Sequence, residues 1–259
     1  METEVYQQIK GTVKSLLAID LNGYKDAQMM RRLDSWLVRR GADSWSEYFK
    51  RVRADDQELS KFRDYLTINV SAFFRDPERW QALRQTVLPG LLKVNRLLRV
   101  WSAGCSIGPE PYTLAIMLDE LTPGVKHTLL ATDLDRGALA KARARGPFTA
   151  EDVQNVNAAQ RSRYFQAGGP PFFVSENLGK RVDFRELNLI EDRFEPGFDL
   201  IVCRNVVIYF TDGAKQTLYE KFSAALRPGG LLFLGGTEIM PRPHELGFRS
   251  GGLSLYQKT

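Results

Sequence analysis

From Leu97 onward the chain alternates short apolar runs with helical segments, and no other feature restricts the possible folds as much. The runs are Leu97–Ala103, His127–Thr132, Val182–Leu187, Phe198–Cys203 and Gly230–Gly235, with helical patterns over 110–121, 135–144 and 212–226. Parallel neighbours need long crossovers, and a crossover helix packs back onto the sheet. The rhythm therefore predicts an α/β domain with a parallel sheet covered on both faces. The last stretch, Phe248–Tyr256, reads as an antiparallel hairpin at the sheet edge. Between 146 and 181 the alternation breaks around the turn cluster Gly168-Gly-Pro-Pro171. Pro171–Ser175 and Lys180–Phe184 are expected to pair there as a small antiparallel insertion, a β-subdomain over about 165–186.

The front of the chain follows a different period. Val5, Ile9, Val13, Leu16 and Leu17 recur at helical spacing, as do Met29, Met30, Leu33, Trp36 and Leu37. Asn22-Gly23 and Gly41 punctuate these segments. Ser44-Trp-Ser-Glu47 has the form of a capping box opening a third helix, and a fourth is expected over Asp55–Leu66. The expected organisation is an all-α domain with its linker over 1–75 and a sheet domain over 76–259. The two parts also differ in charge. Residues 1–99 hold 18 Lys/Arg against 13 Asp/Glu, whereas residues 100–259 hold 18 of each, so the excess of +5 belongs to the front. Such a field favours an acidic partner, although a solvated helix surface has the same composition.

No run approaches the ~20 apolar residues of a membrane span, and the first residues lack a secretory pattern, so a cytoplasmic protein without membrane insertion is expected. Cys105 and Cys203, far apart and inside apolar runs, read as reduced thiols. Two His and two Cys, none at ligand spacing, give no reason to expect a metal.

A doubly wound sheet binds its ligand beyond the carboxyl ends of its strands. The first strand runs there into Trp101-Ser-Ala-Gly104-Cys-Ser-Ile-Gly108, followed by a helix. Its glycines admit close backbone approach and the helix start offers free N–H groups, though a tight turn without a ligand fits equally well. The second strand ends in Asp133, placed to accept ribose hydroxyls or to cap the next helix. Together these favour a nucleoside-containing cofactor. The spacing Gly-x-x-x-Gly is not that of dinucleotide binders, which shifts the reading from a nicotinamide cofactor toward S-adenosylmethionine. The fourth strand delivers Arg204, Asn205 and Tyr209 to the same end, for chemistry or for bonding loop carbonyls.

At these positions the chain resembles the CheR family of chemoreceptor methyltransferases. Leu66-Thr-Ile-Asn69-Val-Ser71-Ala-Phe73-Phe74-Arg75 resembles the family's "TTN-x-T-x-FFR" segment, and Trp101–Tyr112 its "WSAGCSTGEEPYS" loop. Leu187-Asn188-Leu189, Cys203–Phe210 and Leu226–Gly235 resemble "LNL", "CRNVMIYF" and "L-x-PGG-x-LFLG", in the same order. Pro109 replaces the first Glu of "GEE", and Gly236-Thr237-Glu238 stands where "GHSE" is usual.

The resemblance implies a Rossmann-like methyltransferase sheet that binds S-adenosylmethionine and releases S-adenosylhomocysteine. It implies cofactor contacts from Asn69, Ser71, Arg75, Glu110, Asp133, Asn188, Leu189, Asn205 and Val206, with Arg75 and Tyr209 near the reaction centre. The implied reaction is methylation of glutamates on the helical bundles of methyl-accepting chemotaxis receptors, by a monomer recruited to receptor arrays. Arg31, Arg32, Arg39 and Arg40, followed by Lys50, Arg51 and Arg53, would dock the acidic receptor; in some members of the family the insertion captures a receptor C-terminal peptide. An RNA methyltransferase on the same sheet and a cofactor-binding regulator are the alternatives. No nucleic-acid partner is expected, because the front lacks the interleaved basic and aromatic pattern of an RNA module.

Overall fold

Helical periodicity at the front becomes four helices that share one aromatic core. A computed structural model describes residues 1–67, 71–252 and 254–259. Helix α1 (Thr3–Leu17) buries Tyr6, Ile9, Val13 and Leu17, and α2 (Asp26–Arg39) buries Met29, Leu33 and Trp36. Helices α3 (Trp45–Ala54) and α4 (Asp56–Leu66) add Trp45, Tyr48, Phe49 and Phe62. Ser44 caps α3 by accepting the Glu47 N–H at 3.2 Å, but the Glu47 carboxylate takes the Asp43 N–H, so the expected capping box is only half formed. One carboxylate, Glu58, is enclosed in this core. It accepts the Tyr48 hydroxyl at 3.1 Å and a two-pronged guanidinium from Arg40, whose Nε lies at 2.6 Å. The same compact unit, Met1–Ile68, includes Tyr209–Thr217. The Lys25 N–H donates to the Tyr209 carbonyl at 2.9 Å, and the Tyr24 and Phe210 rings meet edge to face.

The second unit, Asn69–Ile208 with Leu218–Thr259, is built on a seven-stranded sheet in the order β3-β2-β1-β4-β5-β7-β6. Strands β1 (Arg99–Ala103), β2 (Thr128–Asp133), β3 (Asp183–Glu186), β4 (Phe198–Cys203) and β5 (Leu226–Leu234) run parallel. The hairpin β6 (Phe248–Gly252) and β7 (Leu255–Lys258) closes one edge antiparallel to β5, as expected of Phe248–Tyr256. Helices α5 (Pro77–Ala82) and α6 (Leu88–Val94), joined by a π-helical turn, precede β1. Next come α7 (Pro109–Leu121), α8 (Arg136–Arg143), α9 (Ala158–Tyr164), α10 (Glu176–Gly179) and α11 (Asp212–Ala225). Helix α7 is buried over nearly its whole length, which is why its sequence is apolar all round. The chain leaves β1 for β2 and β3, then returns to β4 on the other side of β1. The order therefore reverses between β1 and β4, and a ligand cleft is expected beyond their carboxyl ends.

Two boundaries differ from expectation. The sequence groups the linker up to residue 75 with the helical part, but Phe73 is fully buried in the sheet unit among Tyr112, Phe148 and Phe165. The division falls after Ile68 instead. In the insertion, Lys180–Phe184 does not pair with Pro171–Ser175. Ser175 caps the short α10, and Asp183 and Phe184 begin β3 beside β2. Antiparallel pairing survives as two single bridges, Phe148 with Phe172 and Phe165 with Val174.

Candidate functional site at the carboxyl ends of β1, β2 and β4

The loop after β1 is fastened to the end of β2 by backbone and carboxylate together. The Gly104 and Cys105 N–H groups both donate to the Thr132 carbonyl, at 2.8 and 2.9 Å. Asp133 accepts the Ser106 N–H at 2.7 Å on one oxygen and the Asp135 N–H at 2.9 Å on the other. The cap of α8 is Asp135, through the Ala138 N–H at 3.0 Å, so Asp133 orders the loop rather than the helix. Gly104 has φ +86°, and a Cβ there would lie 2.5 Å from a methyl of Val206. That collision explains the glycine: the loops after β1 and β4 touch. Burial pushes the Asp133 carboxyl up to about 6, against the N–H groups that favour its charged form.

Glu110 begins α7 and is 9% exposed. Its carboxylate accepts the Ser102 hydroxyl at 2.7 Å. Burial raises its pKa to about 7; Arg204 and Ser102 oppose the rise and Glu238 adds to it. Pro109, the departure from the family pattern, stands in the first turn of the helix, where its missing N–H costs no hydrogen bond.

Arg204 at the end of β4 is buried and holds the segment before α5. One terminal nitrogen donates to the Arg75 carbonyl at 3.0 Å and the other to Asp76 at 2.6 Å, with the guanidinium over Trp80 and Phe233. Phe74, Asp76 and Asn205 all carry positive φ, a conformation that non-glycine residues keep only when their surroundings impose it. For Asn205 the imposing group is Glu238. This carboxylate, 2% exposed, accepts N–H groups from Asn205 (2.9 Å), Ile208 (3.2 Å) and Gly235 (2.6 Å). Glu238 had no role assigned from sequence. Its signals were an acidic residue just past an apolar strand and its place at the end of the "GHSE" position, and two of its three partners, Asn205 and Ile208, lie thirty or more positions away.

Asn188 and Leu189 follow β3, and the Leu187 N–H donates to the Asp133 carbonyl at 3.0 Å. The Asn188 side chain is engaged locally with Glu191 and the Ile190 N–H, while Lys221 of α11 ties down the Leu189 and Ile190 carbonyls. Glu110 in the first turn of α7, Asp133 at the end of β2 and Asn188, Asn205 and Val206 on the following loops thus stand at one end of the sheet, and Arg75 and Arg204 are close enough to bias the Glu110 charge. Ser71 is half-buried. Asn69 lies outside the described residues. Tyr209 falls in the helical unit, where its carbonyl is occupied by Lys25. Among the described residues no three His, Cys, Asp or Glu side chains gather as a metal cluster.

The four expected docking arginines are not equivalent. Arg31 and Arg39 are exposed. Arg40 is committed to Glu58, and Arg32 turns inward to the Tyr65 carbonyl and ring. Both are half-buried, and their partners lie on α4.

Two family profiles match the chain in register with this division. Residues 4–67 match the CheR methyltransferase all-alpha domain, and residues 69–252 match the CheR methyltransferase SAM binding domain. The chain belongs to the CheR methyltransferase family. It is 41% identical to the chemotaxis protein methyltransferase of Listeria innocua over 98% of this chain and 97% of that protein. It is 35% identical to chemotaxis protein methyltransferase 1 of Pseudomonas aeruginosa over 86% of this chain and 85% of that one. The cofactor of this CheR domain is S-adenosylmethionine, and the site fits it. The buried Glu110 and the half-buried Asp133 suit a ligand with cationic centres and ribose hydroxyls. No helix of the described residues is long and apolar enough to cross a membrane.

Proposed function

We propose that this chain transfers the methyl group of S-adenosylmethionine to glutamate side chains of chemotaxis receptors, forming glutamyl methyl esters. The observation that carries this reading is the absence of a histidine from the cleft. His127 precedes β2 at the opposite end of the sheet, with Nδ1 accepting the Leu98 N–H, and His244 lies in the turn before β6. An acceptor that arrives already ionised needs no such base. A glutamate carboxylate, with an ordinary pKa near ~4.3, is such an acceptor.

The bound cofactor supplies an electrophilic methyl on a sulfonium. The chain's own groups do the rest. Glu110 and Asp133 hold cationic and hydroxyl groups, and the Asn205 loop shapes the floor of the cleft. Arg75 orients the incoming carboxylate. Arg31, Arg39, Lys50 and Arg53 are exposed basic side chains of the helical unit available to an acidic receptor bundle. Recruitment to receptor arrays follows from that substrate.

The decisive experiment supplies radiolabelled S-adenosylmethionine with receptor-containing membranes and, in parallel, RNA. Base-labile label on receptor protein, released as methanol, is the expected result. Label on RNA, or base-stable label on the receptor, would overturn the assignment.

A further inference from the structure

The loop beyond β5 alternates buried and exposed residues: Gly235 and Glu238 are buried, Thr237 is exposed, Ile239 is 76% exposed and Met240 is buried again. Ile239 is therefore not a side chain on a loose loop. On one side Glu238 is clamped by three N–H groups, one of them from Asn205 of the cofactor cleft. On the other, the Met240 N–H donates to the Tyr256 hydroxyl at 3.0 Å. A large aliphatic group is held out in water between two fixed points, at the end of the sheet where the chemistry takes place. Cationic groups flank it. The Arg79 guanidinium, one nitrogen of which donates to the Ser254 hydroxyl at 3.3 Å, lies within about 3 Å of where a Gly236 Cβ would stand, and the exposed Arg242, two residues beyond Met240, pairs with Glu245 at 3.1 Å.

We infer that Ile239 is a substrate-reading residue, packing against the apolar stripe of the receptor helix that carries the target glutamate. This rests on the receptor-glutamate reading above and adds which side of the cleft the acceptor uses. Asp133 and Glu110 take the β2 and β1 sides, so the β4–β5 side remains for the acceptor. An amphipathic acidic helix has the complementary chemistry, with aliphatic residues at helical spacing for Ile239 and carboxylates for Arg79 and Arg242.

The test compares Ile239→Ser with Leu97→Ser in the full chain. Leu97 is also a well-exposed aliphatic, at 60%, but it precedes β1 at the other end of the sheet. Ile239→Ser should raise the KM for receptor about tenfold, with kcat at saturating receptor and the affinity for S-adenosylhomocysteine unchanged. Leu97→Ser should match the unsubstituted protein. A photoreactive residue at 239 should crosslink to receptor, and one at 97 should not. An unchanged KM for Ile239→Ser, equal effects of both substitutions, or equal crosslinking from both positions would overturn the inference. If the unsubstituted chain fails to methylate receptor, the receptor-glutamate reading falls first and takes this inference with it.

Discussion

Each unit of this protein encloses carboxylates, and the two kinds of enclosure are opposite in character. In the helical unit Glu58 meets a complete set of partners, Arg40 on two prongs and the Tyr48 hydroxyl, and the result is a structural joint between α2, α3 and α4. In the sheet unit Glu110 meets one neutral hydroxyl, and burial lifts its pKa to about 7. Burial alone therefore does not mark a binding group. A buried charge whose compensation is incomplete leaves room for a ligand to complete it.

Two arginines test the contrast most severely. Arg75→Ala should cut methyl transfer about a hundredfold while leaving urea unfolding unchanged. A folded variant with near-normal turnover would remove Arg75 from the chemistry. Arg40→Ala should do the reverse, lowering the unfolding free energy by about 2–3 kcal/mol because Glu58 loses its counter-charge in the core. If stability holds while receptor turnover falls, Arg40 belongs to docking after all.

Glu110 sharpens the comparison through pH. Its carboxyl is raised in the folded chain from 4.5 to about 7. Between those values the folded state keeps a proton that the unfolded state has lost, so ligand-free stability should fall as pH rises through that window and level off above it. Asp133, raised from 3.8 to about 6, acts in the same direction. Affinity for the cationic cofactor should rise about tenfold as Glu110 ionises, and Glu110→Gln should flatten that rise. Titration calorimetry at several pH values reads it directly, and an equally steep rise in the variant would assign the dependence elsewhere. The smallest effect is expected from Arg39→Glu, about a threefold increase in receptor KM at low salt that fades as salt is added. Kinetics indifferent to both charge and salt would move docking off α2.

The parallel sheet was legible because each strand and helix carries its own period. The loop after β1 was legible because its glycines have a local steric cause. What escaped had non-local causes. Glu238 could not be assigned because it bonds to backbone groups of residues 205 and 208, which carry no side-chain signature. Arg32 and Arg40 looked like surface because their partners, Tyr65 and Glu58, lie a helix or more away. The Lys180–Phe184 hairpin failed because a short mixed stretch with only Val182 and Phe184 apolar carries no sign of its partner, and β2 offered four paired positions from Asp183 to Glu186.

The tie between the β1 loop and the end of β2 has a further consequence. Thr132 and Asp133 set the loop's shape through bonds made entirely within the chain, which favours a cleft that acts as a socket rather than a hinge. Rigid mimics of the adenosyl group should then bind as well as flexible ones, and the product S-adenosylhomocysteine should find the same contours as the cofactor it came from. Product accumulation would therefore restrain this methyltransferase by competition alone, with no separate inhibitory site required.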